Sequence, residues 1–92
     1  LSLREKDALN LALQKGKTFY LLKIGFSAAT FYEDFKNFKE ILTQNGEVIA
    51  VAPDANQNSP QEVEFQFFFV TDLKKEKLEK SIDKFSARID FE

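Results

Sequence analysis

Acid–base chemistry in this chain would have to come from carboxylates. Glu33 and Asp34 are adjacent, and Glu62 and Glu64 sit two apart, a spacing that puts both on one face of a strand. Two carboxyls brought together in that way could act as proton donor and acceptor. On the surface of a small domain such pairs are more commonly solubilising. The 92 residues contain no histidine and no cysteine. That removes the commonest general base and metal ligand, the phosphoacceptor of histidine relays, thiolate zinc sites, disulfides and cysteine nucleophiles. No Ser-His-Asp or Cys-His arrangement can be assembled. A phosphate cradle wants a glycine-rich turn and a cation ahead of a helix. Gly25-Phe26-Ser27-Ala28-Ala29 offers one glycine and no arginine, and the only arginines are Arg4 and Arg88. The residues describe a module that binds and does not catalyse, with no cofactor and no metal.

Charge narrows the partners. Thirteen basic and 15 acidic residues leave a net charge of −2. An electrostatic grip on nucleic acid or anionic lipid needs a cationic field, which this balance does not supply. No signal-peptide pattern is legible, and no apolar run approaches the roughly 18 residues that signal a membrane span. The absence of cysteine fits a cytoplasmic setting. The chain starts at Leu1 and has no methionine, which suggests a piece of a larger protein. A chain this long makes one domain and buries roughly 60–65 % of its unfolded surface, enough for one core and no deep substrate cavity.

The elements that must position any binding surface follow from periodicity. Ser2-Leu3-Arg4-Glu5 has the form of a capping box, Leu9, Ala12 and Leu13 recur at helical spacing, and Gly16 is placed to stop the helix. This predicts a first helix over 2–14, which either caps its own domain or serves as a dimerisation arm. Residues 18–26 read as a strand with Tyr20, Leu22, Ile24 and Phe26 on one face, and Phe19, Leu21, Lys23 and Gly25 on the other. Large apolar residues on both faces suit a central strand. Phe31, Phe35, Phe38 and Leu42 then form a helical stripe, a core pattern, with Ser27 or Thr30 as N-cap and Asn45-Gly46 as the C-terminal turn.

Residues 47–52 make a short strand, whose Val48-Ile49-Ala50-Val51 run does not distinguish its faces. Pro53 ends it, and 53–61 is a polar, aperiodic loop, expected to be the most mobile. Next comes Val63-Glu64-Phe65-Gln66-Phe67-Phe68-Phe69-Val70, with four phenylalanines in eight residues. Alternation places Val63, Phe65, Phe67 and Phe69 on a wholly apolar face. Glu64, Gln66, Phe68 and Val70 share the other face, polar at one end and apolar at the other. Thr71 or Asp72 can cap a last helix, whose core face is Leu78, Ile82 and Phe85 and whose remaining sides are a solvated set of lysines and acids. Ala87, Ile89 and Phe91 alternate with Arg88 and Asp90 in a short strand suited to a sheet edge.

A helix followed by β-α-β-β-α-β predicts an α+β fold, in its simplest closed form a ferredoxin-like sandwich with an additional N-terminal helix. The expected division is residues 1–15 for that helix and 16–92 for the sandwich. Parallel pairing through right-handed crossovers is expected, with the first and third strands central. Both crossover helices would cover one face of the sheet. The other face would present Phe19, Leu21, Phe68 and Val70, the candidate binding patch. Either Leu9, Ala12 and Leu13 of the first helix cover it or a partner does. RNA-recognition motifs share this element order and stack bases on comparable ground. The strand over 62–70 lacks their basic start and internal glycine and carries Glu62, Glu64 and Gln66, so nucleic acid is not the expected partner. With only Arg4 and Arg88 available, an acylphosphatase-like site is not expected either, and a copper carrier would need paired cysteines.

Gly16-Lys17-Thr18-Phe19-Tyr20-Leu21-Leu22-Lys23-Ile24, a helix ending in Phe38-Lys39-Glu40-Ile41-Leu42, Gly46-Glu47-Val48-Ile49 with a later Pro53, and Phe65-Gln66-Phe67-Phe68-Phe69-Val70-Thr71-Asp72 form a recognisable series. From about residue 16 to 91 the chain resembles the response-regulator-binding domain of CheA-type chemotaxis histidine kinases. The helix ahead of it resembles a lead-in of related kinases. The resemblance implies a ferredoxin-like fold without catalytic residues, which docks the receiver protein CheY to promote phosphotransfer from a separate histidine domain. It carries over no individual contact residue. Two other readings remain open at this point: an ACT-like regulatory domain taking a small ligand at the turn over 25–29, and a structural dimerisation module built on the first helix.

Overall fold

The computed structural model describes residues 1–53, 62–85 and 88–90. Helix α1 (Leu3–Gln14) starts with the predicted capping box. The Glu5 N–H donates to Ser2 Oγ at 3.1 Å, and the Ser2 N–H donates to the Glu5 carboxylate at 2.8 Å. Two amide donors without intrahelical partners are thereby satisfied. Gly16 stops the helix in the left-handed region, at φ 84°. The Gly16 and Lys17 N–H groups return to the carbonyls of Leu13 and Ala12. This reversal sends the chain into β1 (Thr18–Ser27), and α1 lies back along the sheet.

A 3₁₀ turn, Ala28–Thr30, leads into α2 (Phe31–Asn45). Neither Ser27 nor Thr30 caps the helix through its side chain, in contrast to the sequence expectation. The turn leaves Thr30 at φ −119°, ψ 17°, outside the extended conformation of an N-cap, and its hydroxyl donates to the Asp34 carboxylate at 2.6 Å. The phenylalanine stripe does face the core, with Phe38 and Leu42 fully buried.

Helix α2 passes directly into β2 (Gly46–Pro53), where the sequence predicts a turn. Gly46 is extended, at φ 173° and ψ −151°, and pairs with Thr71 as the first strand residue. Space, not backbone handedness, calls for glycine there. A Cβ would run into the Val70 carbonyl oxygen and lie 2.8 Å from the Phe69 ring and 2.9 Å from Thr71 Cβ. Beside it the buried Thr71 hydroxyl donates to the Asn45 carbonyl at 2.5 Å and accepts from the Leu73 N–H at 3.1 Å.

Strand β3 (Glu62–Thr71) precedes α3 (Lys75–Ser81), which a 3₁₀ turn, Asp83–Phe85, extends. The predicted caps of α3 are engaged elsewhere. Thr71 is held as above, Asp72 pairs with Lys17 at 3.2 Å, and the N-cap position falls to Lys74 without a side-chain bond. The last strand, β4 (Arg88–Asp90), forms a sheet edge beside β1, as expected. Residues 54–61 of the predicted loop, together with Ala87 and Phe91, lie outside the described residues.

The strands make one sheet in the order β2-β3-β1-β4. Every neighbouring pair is antiparallel, which corrects the expected parallel pairing. Helices α2 and α3 do each join two strands running the same way, but a third strand separates them: β3 lies between β1 and β2, and β1 between β3 and β4. The fold is therefore α+β. As anticipated, the two strands that are apolar on both faces take the centre, paired without interruption from Thr18↔Thr71 to Ser27↔Glu62. Tyr20, Leu22, Ile24 and Phe26 of β1 meet Phe65, Phe67 and Phe69 of β3 beneath Phe38 and Leu42 of α2 and Leu78 and Ile82. Phe38 stands edge-on to Phe67 at 5.0 Å and to Phe85 at 5.2 Å. Such tilted contacts add to what burial alone contributes.

Candidate functional site

The opposite face of the sheet carries the predicted patch, and α1 covers it only in part. A β-bulge decides what the helix can cover. The β2–β3 register passes from Val48↔Phe69 to Ala50↔Phe68, leaving Ile49 as the extra residue. Ile49 and Ala50 therefore both join the α1 cluster, while Val48 and Val51 pack on the other side of the sheet. Periodicity could not divide Val48-Ile49-Ala50-Val51 between faces because the strand does not alternate there.

Ala8, Leu9 and Ala12 of α1 pack in one cluster with Phe19, Ile49, Ala50, Phe68 and Val70. Of the four predicted patch residues, Val70 is fully buried in this cluster and Leu21 is 8 % exposed. Phe19 and Phe68 are half-buried, their rings 6.1 Å apart and inclined at 38°. The first helix thus takes Val70 and leaves the two aromatic rings at its flank. Leu13, expected above the patch, is 46 % exposed. It stands with Leu1 and Leu9 along one wall of an open groove of about 760 Å³, whose base includes Phe19, Leu21 and Phe68.

Lys17, Thr18 and Gln66 complete the groove. Gln66 follows from strand alternation. Leu1, Lys17 and Thr18 do not, because they reach the groove only through the tight reversal at Gly16. The Lys17–Asp72 pair ties that reversal to the end of β3, with Asp72 well exposed, so the pair adds at most about 1 kcal/mol. Among the described residues, four of the five exposed large hydrophobics, Leu1, Leu3, Leu11 and Leu13, belong to α1 and its lead-in; the fifth is Tyr32 of α2.

The other candidate chemistries can now be placed. The Glu62 carboxylate and the Glu64 Cγ both lie beside Gly25, which pairs with Glu64. Glu33 and Asp34 occupy the first turn of α2. Residues 25–27, expected in a turn, are the end of β1, and they open on a second, polar cleft of about 330 Å³ lined by Gly25, Phe26, Ser27, Asp34 and Asn37, with Ile24 and Phe85. Among the described residues no group of three or more metal-ligating side chains comes together. No described helix is long and apolar enough to cross a membrane.

Among the described residues, Glu5 and Tyr20 are displaced from their ordinary ranges. Hydrogen bonds from the Ser2 backbone and then its hydroxyl hold the Glu5 carboxyl below its ordinary range. Burial, followed by the nearby charge of Glu76, pushes the Tyr20 phenol up. Tyr20 donates to the Leu73 carbonyl at 3.0 Å on the core side of the sheet, away from the groove. Both effects serve the architecture, as an N-cap and a strand-to-helix tie. Comparison with protein-family models, with curated proteins and with solved structures finds no match to this chain.

Proposed function

We propose that the chain is a non-catalytic docking module of ferredoxin-like architecture, serving a two-component or chemotaxis histidine kinase in the cytoplasm. Its partner is a response-regulator receiver domain, brought close for phosphotransfer from a histidine domain elsewhere. The half-covered sheet face carries this reading: α1 buries Val70 but leaves Phe19 and Phe68 in an apolar groove rimmed by exposed leucines. An apolar surface with a few polar groups at its rim is suited to transient protein recognition. The strand order β2-β3-β1-β4 is in keeping with the ferredoxin-like plan that the sequence resemblance implies.

The test is a titration of the labelled chain with receiver domains from its source organism, followed by NMR and calorimetry. Binding tighter than about 1 mM, a free energy near −4 kcal/mol, is expected, with shifts centred on Phe19, Leu21 and Phe68. Leu13→Glu changes a solvent-facing rim position, so it should weaken binding while leaving the unfolding transition in place. Absence of binding at millimolar concentration by every receiver tested would defeat the proposal.

The polar cleft at Gly25–Ser27, Asp34 and Asn37 favours a second reading, an ACT-like domain sensing a small polar ligand. A thermal shift with free amino acids, lost on Asn37→Ala, would select it over the docking reading. Sedimentation in the same samples separates both from an assembly module, since deleting residues 1–14 would dissociate an oligomer held by α1.

A further inference from the structure

Asn45-Gly46 is the sequence in which an asparagine side chain is most open to attack by the following backbone nitrogen, because glycine has no Cβ to hinder it. The seat between Val70, Phe69 and Thr71 has no room for a Cβ at 46, so the packing favours the glycine of this dipeptide. Both reactants are held in place. Asn45 Nδ2 donates to the Ile41 carbonyl at 2.8 Å, drawing the carboxamide back along α2. The Asn45 carbonyl accepts from Thr71 Oγ1, and Gly46 is fixed in the β2–β3 ladder opposite Thr71.

We propose that Asn45 is a latent self-modification site that the α2–β2 junction holds closed, so that its deamidation records opening of that junction. When Gly46 leaves its seat, its amide nitrogen loses a proton to solvent base and attacks Asn45 Cγ. The new C–N bond closes a succinimide as ammonia leaves, and water opens the ring to aspartate or isoaspartate. Neither product restores the junction. Aspartate puts negative charge at the C-terminal end of α2, where the helix dipole opposes it. Isoaspartate adds a methylene to the backbone beside a seat that has no room for a Cβ. The reaction is therefore a one-way release of the first residues of β2.

The test compares the intact chain, native and urea-unfolded, at one mildly alkaline pH, with peptide mass spectrometry reading conversion at Asn45. The unfolded chain should react at least about tenfold faster, an opening free energy of ~1.4 kcal/mol or more. Thr71→Val, which removes the bond to the Asn45 carbonyl, should bring the native rate towards the unfolded one while leaving Asn37 unchanged. If that variant does not fold, wild-type protein in sub-denaturing urea supplies the same comparison: conversion should rise only as the Gly46 and Thr71 amides exchange with solvent. Equal rates in native and unfolded chains, or conversion while those amides stay protected, would overturn the proposal.

Discussion

Val70 of β3 is fully buried in the cluster it shares with Ala12 of α1, whereas Phe68, two residues back on the same face, is only half-buried. The helix covers Val70 completely and Phe68 only in part. Val70→Ala removes two methyl groups from a closed site and should cost about 2 kcal/mol, counting ~0.8 per carbon and a cavity term. Phe67→Ala, on the fully buried side, should cost about 3–5 kcal/mol. Phe68→Ala should fall clearly below Phe67→Ala, because its ring already meets solvent. Urea unfolding of the three variants measures the order. A cost for Phe68→Ala equal to that for Phe67→Ala would mean the groove is closed in solution.

Two glycines are required for different reasons, and alanine separates them. At Gly16 the obstacle is conformation: φ is 84°, but nothing lies within 4 Å of an added Cβ. Gly16→Ala should cost about 1–2 kcal/mol, the left-handed penalty of an L-residue. At Gly46 the backbone is extended and any residue could adopt it, but the Cβ has no space. Gly46→Ala should cost about 1–3 kcal/mol or more through overpacking, and should shift the amide resonances of Val70 and Thr71. Gly16→Ala should leave those two resonances unmoved.

What the sequence disclosed was what alternates. Tyr20, Leu22, Ile24 and Phe26, and Phe65, Phe67 and Phe69, lie on the predicted face, and Phe38 and Leu42 lie above them, because burial of period-2 and period-3.6 stripes leaves few other solutions. The capping box at Ser2 and Glu5 was equally legible, being a local bond pattern. Non-local competition explains the failures. Thr71 and Asp72 are good caps in isolation, but the Asn45 carbonyl, the Leu73 N–H and Lys17 claim them. Gly46 resembles a helix stop until Val70 is placed against it. The bulge at Ile49 and the entry of Leu1 and Lys17 into the groove have no signature in composition or spacing. Alternation puts Phe19, Leu21, Phe68 and Val70 on one face, but their division into covered and open residues depends on where α1 comes to rest.

Acid should loosen α1 through Glu5. Its carboxyl is held below the ordinary range by the Ser2 N–H and hydroxyl, so the folded state binds its proton less readily than the unfolded chain does. The stabilisation is present above the unfolded carboxyl's range and is lost as pH falls through the depressed folded value. Glu5→Gln keeps the side-chain shape but removes the charge that strengthens the cap. Wild type should therefore be the more stable at neutral pH, and the two midpoints should converge on acidification. A gap that persists below the carboxylate range would mean that Glu5 acts through something other than its ionised form.

Alkali should act through Tyr20. Burial and then the charge of Glu76 raise its phenol above the ordinary tyrosine range, while its O–H donates to the Leu73 carbonyl between β3 and α3. The unfolded chain gives up this proton first as pH rises. The stabilisation is therefore full below the unfolded tyrosine range and disappears as pH climbs through the raised folded value. Tyr20→Phe deletes the hydroxyl, and the orphaned carbonyl should make the variant less stable by about 0.5–1.5 kcal/mol at neutral pH. The same variant no longer has a phenol at position 20 to ionise, so its stability should fall less steeply at high pH than that of wild type. Urea midpoints across the alkaline range, with ultraviolet titration of the phenolate, measure both effects. Parallel alkaline slopes in the two proteins would show that Tyr20 ionises alike in folded and unfolded chains.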